Sequence, residues 1–367
     1  LTEFEMLYRL GWTGSLFVVD DNFIGNKRDA MRLLPEVVKW QEERQYPFSL
    51  YTEASVNLVE IPDMLDAMSD AGFNMVFLGI ESPNDEALQK TVKKQNTSKD
   101  ENAESYLLHA IRKIQERGME VTGGFIIGLD GDTEFDSHIR FIQEAGIPMA
   151  MAGLLTALKG TNLYQRLERE GWMLNESTGN NTDGTLNFVP ELPREHIIAE
   201  YRRVVSTLYD PTLKNYFERC LTMLQHLKPT AHTVRKIGKT ELMAFVKSVR
   251  RQLFSRQGPA YARYLVTVIK NHRSLLPEAI RLAIMGYHFE KITRQMVAVD
   301  DFKQYLEAEF NAFKVTVSQV AQSQSDHIGE ISLHAQELLA RVRAAYENIH
   351  EDFRYGAQDT GRRGCPH

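Results

Sequence analysis

Cysteine is nearly absent from this chain, and long apolar runs are missing. Only Cys220 and Cys365 occur among the 367 residues. Two such distant cysteines make no disulfide framework and lack the spacing of a zinc or iron–sulfur site. No apolar stretch approaches the roughly 18 residues that cross a bilayer. We therefore expect a soluble protein of the reducing cytosol.

Charge of one sign is not in large excess either. The sequence has 43 Lys and Arg against 49 Asp and Glu, with 43% hydrophobic and 25% charged residues, which excludes disordered and collagen-like chains. The slight acidity gives no general attraction to nucleic acid, so we expect no nucleic-acid partner. A serine nucleophile elbow, a P-loop and an HExxH motif are also missing, which disfavours simple hydrolases and kinases.

Short apolar runs alternate with amphipathic ones from Ser15 to about Leu163. The strand-like runs are SLFVVDD, FSLYTEAS, MVFLGIES, EVTGGFIIGLDGDT and AMAGLLTALKGT, and a helical pattern follows each. Four of the helical patterns close on a glycine, at Gly72, Gly118, Gly146 and Gly171. This rhythm predicts βα units and a parallel sheet, which is an α/β fold.

The pattern changes after NFVPELPREH. We predict an α/β domain over 1–192, an all-helical region over 193–350 and a disordered tail over 351–367. Within the helical region, 302–346 resembles a coiled coil that could pair with a partner helix.

Acidic and amide residues follow three of the predicted strands, where the binding groups of parallel sheets gather. They are Asp20, Asp21 and Asn22 after the first strand, Glu53 with Ser55 after the second, and Glu81 with Ser82 after the third. A hard cation or an ammonium group would suit them. The alternatives are that the first group caps the helix beginning near Lys27 and organises the βα turn, and that the others are solvated loop residues.

Two further segments leave alternatives open. The glycines Gly123, Gly124, Gly128 and Gly131 could admit a planar ligand close to the backbone or could make room for a helix. The segment 235–273 carries ten Lys or Arg and one acidic residue among aromatic residues. It could contact an anionic surface such as a membrane, or its basic helical face could close on the acidic end of the α/β domain.

Taken in order, FVVDDNFIGN, FSLYTEASVNL, MLDAMSDAGFNMVFLGIESPNDEALQ, KKQN, GGFIIGLDGDT, LLTALKGTNLYQRL and NFVP resemble the radical S-adenosylmethionine (SAM) superfamily. The likeness is to its cobalamin-binding branch with a helical C-terminal extension. It implies a partial (βα)6 TIM-like barrel and a [4Fe–4S] cluster held by a CxxxCxxC loop. It also implies a reductase as electron donor and reductive cleavage of SAM.

The chain departs from this family pattern because it has no CxxxCxxC. It opens in a helical pattern just before what resembles the second barrel strand. We therefore expect a C-terminal fragment, with the cluster ligands and any cobalamin domain upstream and no metal ligands of its own.

The resemblance also implies roles for particular residues. Asp20, Asp21 and Asn22 resemble contacts to the amino group of SAM. Glu53 and Glu81 with Ser82 resemble contacts to its ribose or amino group, and Ser55 is a further cofactor-binding candidate. Lys94, Gln95 and Asn96 fall where relatives face its carboxylate, and Gly124 and Gly128 lie in the strand that resembles the adenine-contacting one.

The function that follows is a cobalamin-dependent radical SAM methyltransferase acting on an unactivated carbon, with a lipid of hopanoid type as one option. One alternative is a metal-dependent TIM-barrel lyase or aldolase that uses the acidic strand ends. Another is a non-catalytic barrel remnant whose helical tail is an interaction module.

Overall fold

The computed structural model describes residues 1–90, 96, 102–177, 186–228, 230, 239–322 and 328–347. One parallel sheet contains β1 (Gly14–Val18), β2 (Phe48–Ala54), β3 (Phe73–Glu81), β4 (Glu120–Ile127) and β5 (Ala150–Leu154), in that spatial order. Each strand coincides with a predicted one. The prediction of an α/β partial barrel is therefore confirmed.

One helix precedes β1, further helices connect and follow the strands, and a helical region follows the sheet. The helices and their bounds are α1 (Thr2–Arg9), α2 (Lys27–Glu43), α3 (Pro62–Asp70), α4 (Asp85–Lys90), α5 (Ala103–Glu116), α6 (Phe135–Ala145), α7 (Asn162–Glu170), α8 (Arg194–Leu208), α9 (Lys214–His226), α10 (Lys239–Leu253), α11 (Gly258–Asn271), α12 (Leu276–Gln322) and α13 (Ile328–Glu347). Short 3₁₀ turns occupy Val56–Glu60 and Arg273–Leu275.

The two faces of the sheet differ because side chains alternate along each strand. On one face, Phe48 of β2 stacks on Trp40 of α2 at 5.3 Å between ring centroids. On the same face, Phe125 of β4 meets Phe141 of α6 at 6.2 Å. The other face, which we call the open face, carries the half-buried Tyr51 of β2 and the exposed Phe17 of β1.

Gly146 shows how closely α9 of the helical region approaches the end of α6. It ends α6 with φ 62°, and a Cβ added there would lie 2.7 Å from the backbone nitrogen of Met223 in α9. Only glycine permits both the left-handed backbone and this close approach. The other three glycines predicted to end helices also have positive φ.

A buried arginine anchors α9 at the amino edge of the sheet, where the strands begin. Arg219 is fully buried, and its Nε donates to the carbonyl of Ile147, just before β5, at 2.9 Å. Its guanidinium lies over the rings of Tyr209 and Tyr216, at 4.9 and 4.8 Å from the centroids. Carbonyl oxygens and aromatic faces thus compensate the buried charge.

The position of α9 bears on the basic segment. Helix α11 packs against α9 and α10, and α9 lies at the amino edge, opposite to the acidic strand ends. In the described part of the chain, the alternative that the basic face closes on the acidic end is therefore wrong.

A second buried charge joins α12 to the base of β4. Arg281 contacts the carboxylate of Glu120, the first residue of β4, and its Nε donates to Glu278 at 2.5 Å. The side chains of Arg281 and Glu120 are only 18% and 3% exposed. Burial lowers the pKa of Arg281, but the two carboxylates outweigh burial and hold it above its usual range.

The chain divides into two compact units, Leu1–Asn181 with Thr185–Glu290, and Thr182–Gly184 with Lys291–His367. In the second unit, Val299 and Phe302 pack against Val342, Ala345 and Tyr346. The Phe302 and Tyr346 rings lie 5.9 Å apart. The coiled-coil-like stretch thus folds back on itself within this unit.

The predicted domain boundary near residue 192 stays a prediction, and the tail 351–367 lies outside the described residues. None of the described helices combines the length and the apolar composition needed to cross a membrane.

We expect Arg281→Met to lower the free energy of unfolding by ~3–5 kcal/mol, because it leaves the Glu120 carboxylate buried and uncompensated. Arg281→Met combined with Glu120→Leu should lower the free energy of unfolding by less than Arg281→Met alone. The control is Arg112→Met, whose ion pair with Glu144 is exposed and should contribute less than about 1 kcal/mol. Urea denaturation measures all three. A loss no larger than that of the control would contradict a structural role for this pair.

Candidate functional site

The predicted binding residues of three strands lie along one edge of the sheet. Because β1, β2 and β3 are parallel neighbours, their carboxyl ends point the same way. Asp20 and Asp21, after β1, are exposed, while Glu53 and Glu81, at the carboxyl ends of β2 and β3, are half-buried. The structure therefore brings four carboxylates to the same edge.

Asn22 ties the loops after β1 and β2 together. Its side-chain oxygen accepts hydrogen bonds from the backbone nitrogen and the hydroxyl of Ser55, at 3.1 and 3.3 Å. The backbone nitrogen of Phe23 donates to the carbonyl of Glu53 at 2.9 Å. The predicted residues Asn22 and Ser55 thus bind each other and brace the edge.

The alternative for this group, that it caps the next helix and organises the βα turn, is wrong for the cap and holds for the turn. The side chain of Asn26, and not of Asp20, Asp21 or Asn22, caps α2 by accepting from the backbone nitrogen of Asp29 at 3.3 Å. Asp20 instead accepts from the backbone nitrogen of Asn22 at 3.0 Å, an Asx turn that organises the loop.

The open face next to this edge is aromatic. Phe17 of β1 stacks on Tyr51 of β2, with ring centroids 4.9 Å apart and planes at 10°. Glu53 lies two residues beyond Tyr51 on the same face and pairs in register with Phe77 of β3. Carboxylates at the edge therefore border an apolar, aromatic surface.

At Gly124 and Gly128, the two glycines predicted to contact SAM, neighbouring side chains already crowd the position that a Cβ would take. A Cβ on Gly124 would lie 3.0 Å from the Phe77 ring, on the open face. Gly128 has φ 90°, and a Cβ there would lie 3.0 Å from the Ile197 side chain of α8. The helix-packing alternative therefore describes Gly128, while contact of Gly124 with an adenine stays a prediction.

The end of β3 is held by side chains that face inward. Ser82 is fully buried, and its hydroxyl accepts from the backbone nitrogen of Asn84 at 3.1 Å. Asn96 is also fully buried and donates to the carbonyls of Gly79 and Ile80, both at 2.9 Å. The neighbouring predictions Lys94 and Gln95 lie outside the described residues.

The sequence did not reveal two contacts that hold the loop after β4. His138 of α6 and Asp132 are both fully buried, with Nε2 and Oδ2 2.6 Å apart. Arg166 of α7 donates to Asp130 at 2.7 Å. Each pair joins residues from different elements, so neither has a local sequence signal.

The described residues offer no site for a metal centre. No group of three or more His, Cys, Asp or Glu side chains among them is placed to hold a metal ion. Burial raises the pKa of the Cys220 thiol to about 12, so at neutral pH this cysteine is protonated and a poor ligand or nucleophile. Cys365 lies outside the described residues. The donor set described here does not fit a [4Fe–4S] cluster.

Two family descriptions match the chain. Residues 3–142 match the radical SAM superfamily, and residues 161–301 match a domain of unknown function, DUF4070. The first range contains β1 to β4 and the acidic strand ends of β1, β2 and β3. It therefore covers five of the seven motifs on which the resemblance rests, while LLTALKGTNLYQRL and NFVP lie beyond it.

Among curated relatives, an uncharacterized methyltransferase of Synechocystis sp. is 38% identical over 317 residues, covering 83% of this chain and 57% of the relative. The hopanoid C-2 methylase of Rhodopseudomonas palustris is 35% identical, covering 59% of this chain and 40% of the relative. The chain thus spans about half the length of these relatives.

A solved structure also shows a likeness. The radical SAM methyltransferase TsrM of Kitasatospora setae, solved with cobalamin and a [4Fe–4S] cluster bound, is 15% identical with a TM-score of 0.41, covering 78% of this chain and 54% of that one. The family match and the curated relatives confirm the resemblance drawn from the sequence motifs. Residues 3–142 of this chain belong to the radical SAM superfamily.

Proposed function

We propose that this chain supplies much of the SAM-binding barrel of a methyltransferase that acts on an unactivated carbon. One observation carries the proposal: β1, β2 and β3 bring four carboxylates to one edge, beside an aromatic open face. The names of the two curated relatives, a methyltransferase and a methylase, support the reaction class. Family membership favours this proposal over the metal-dependent lyase.

The residues at the edge fit the chemistry of SAM. SAM carries a positive ammonium group and a positive sulfonium, and carboxylates are the side chains that stabilise such charges. Asp20 and Asp21 would hold the ammonium group, while Glu53 and Glu81 would accept hydrogen bonds from the ammonium or the ribose. The apolar open face beside Gly124 would lie against the adenine. When bound, SAM supplies the methyl group or the radical of the family's chemistry.

The other cofactors are assigned to the whole protein. A [4Fe–4S] cluster does not fit the described donor set, and no described residue is assigned to cobalamin. This chain covers about half the length of its curated relatives. We propose that the whole protein binds the [4Fe–4S] cluster and cobalamin and receives electrons from a reductase. Asn22, Ser55 and the pairs that hold the β4 loop would keep the SAM-binding edge rigid during the reaction.

We propose a hydrophobic substrate of lipid type, since one relative is named for hopanoid methylation. The helices α10 and α11 offer a surface suited to the membrane where such a lipid resides. No acidic residue occurs in the sequence between Glu241 and Glu278, a stretch with seven Lys and Arg. Phe254, in the turn between the helices, is 89% exposed, and Val246 is 60% exposed. A basic surface with protruding apolar side chains fits anionic lipid.

We expect the whole protein, purified without oxygen, to contain iron, sulfide and cobalt. With a chemical reductant and SAM labelled in its methyl group, it should transfer label into a lipid extract. Elemental analysis and scintillation counting of the separated lipids measure both. A protein that binds no SAM would contradict the proposed function as a whole, whereas one that binds SAM without cobalt would contradict the role of cobalamin.

Replacing Glu53 with Gln should weaken SAM binding about tenfold or more, because a hydrogen bond to a charged group contributes about 1.5–3 kcal/mol. Glu144→Gln is the matched control, since Glu144 is an exposed carboxylate near the end of α6, away from this edge. Equilibrium dialysis with labelled SAM on the anaerobic protein measures the affinity. Equal affinities for the two variants would exclude Glu53 from the site.

Sedimentation with vesicles tests the membrane surface. We expect binding to vesicles of phosphatidylcholine with phosphatidylglycerol, little binding to phosphatidylcholine alone, and weakening by salt. Phe254→Ser should reduce binding several-fold, because among the described residues it removes the most exposed large apolar side chain. Trp172→Ser, at a residue 44% exposed elsewhere, is the control and should leave binding unchanged. Equal loss in both variants would count against this surface.

A further inference from the structure

Glu81, at the carboxyl end of β3, has a strained backbone. Its φ is 67°, in the left-handed region that residues with a side chain seldom adopt. The pairing of β3 with β4 also shifts register between Gly79 and Glu81. A conformation of this kind persists only where surrounding contacts impose it, and such positions concentrate at functional sites.

The side-chain amide of Asn96 is the contact that can impose it. Its single NH₂ group donates to the carbonyl of Gly79 and to the carbonyl of Ile80, both at 2.9 Å. Successive carbonyls of a regular strand point to opposite sides, so one amide group cannot reach both unless the strand bends. The backbone nitrogen of Ser82 donates to the same Ile80 carbonyl at 2.9 Å, which closes the bend.

We infer that Asn96 is a positioning residue that acts through Glu81. Its amide fixes the bend at Gly79 and Ile80, and the bend sets the direction in which the Glu81 side chain leaves the strand. This role differs from the expectation that Asn96 contacts the SAM carboxylate. It rests on the proposed function in one respect, that Glu81 binds SAM.

The fold contains a matched control for this amide. Asn187 is also a buried asparagine whose side-chain amide binds backbone. Its NH₂ group donates to the carbonyl of Ala157 at 2.8 Å, and its oxygen accepts from the backbone nitrogen of Ala157 at 3.0 Å. The backbone it holds follows β5 and includes no non-glycine residue of positive φ. Asn187→Ala therefore removes a buried amide without removing a bend at Glu81.

The first test does not involve SAM. Glu81→Gly removes the side chain that makes positive φ costly, so its effect on the urea midpoint reports whether the bend is imposed. We expect Glu81→Gly to raise the urea midpoint more when Asn96 is present than in the Asn96→Ala background, where the strand can relax. In the Asn187→Ala background the shift should match that in the wild type. The same shift in all three backgrounds would overturn the inference.

The second test uses SAM affinity in the anaerobic whole protein. Asn96→Ala should weaken SAM binding at least several-fold, and should cause no further loss in a Glu81→Gln background. Independent losses in the two variants would overturn the positioning role. If Asn96→Ala does not fold, Asn96→Ser, which keeps one donor, takes its place in both tests. A wild type that binds no SAM would refute the proposed function and the assignment of Glu81, while the first test would still decide whether Asn96 imposes the bend.

Discussion

Parallel pairing of five consecutive strands is the constraint on which the rest of the structure depends. It turns every carboxyl end toward one edge, so residues more than sixty positions apart, such as Asp20 and Glu81, reach the same region. It also fixes which face each side chain occupies. A slip of one residue in β2 would move Glu53 from the open face to the helix-covered face, and the carboxylate edge would lose a member.

Two buried arginines secure the opposite edge. Arg219 holds the backbone before β5, and Arg281 holds the first residue of β4. Both come from the helical region, so residues matched to a domain of unknown function close the amino edge of the barrel strands. The carboxyl edge is instead formed by the strand ends and the loops that follow them. Ligands of parallel sheets bind at that edge.

The elements were predictable because their signals are local. Apolar runs, amphipathic periods and helix-ending glycines each lie within a few residues of the structure they specify. The strand-end carboxylates could be predicted for the same reason, since the end of a run marks the end of a strand. Contacts such as Asn96 to Gly79 and Asp132 to His138 could not, because their partners come from other elements and only packing selects them. The ligand contacts of the strand-end residues remain predictions.

The protonated, enclosed thiol of Cys220 has a practical consequence for spectroscopy. Because a thiol with a pKa of about 12 reacts slowly with maleimides and methanethiosulfonates at neutral pH, the native fold shields it from labelling. Once Cys365 is replaced, a cysteine introduced on an exposed position would be the one fast-reacting thiol of this chain. A fluorophore or spin label could then report distances from a single chosen point, with no need to remove Cys220 from the packed helices.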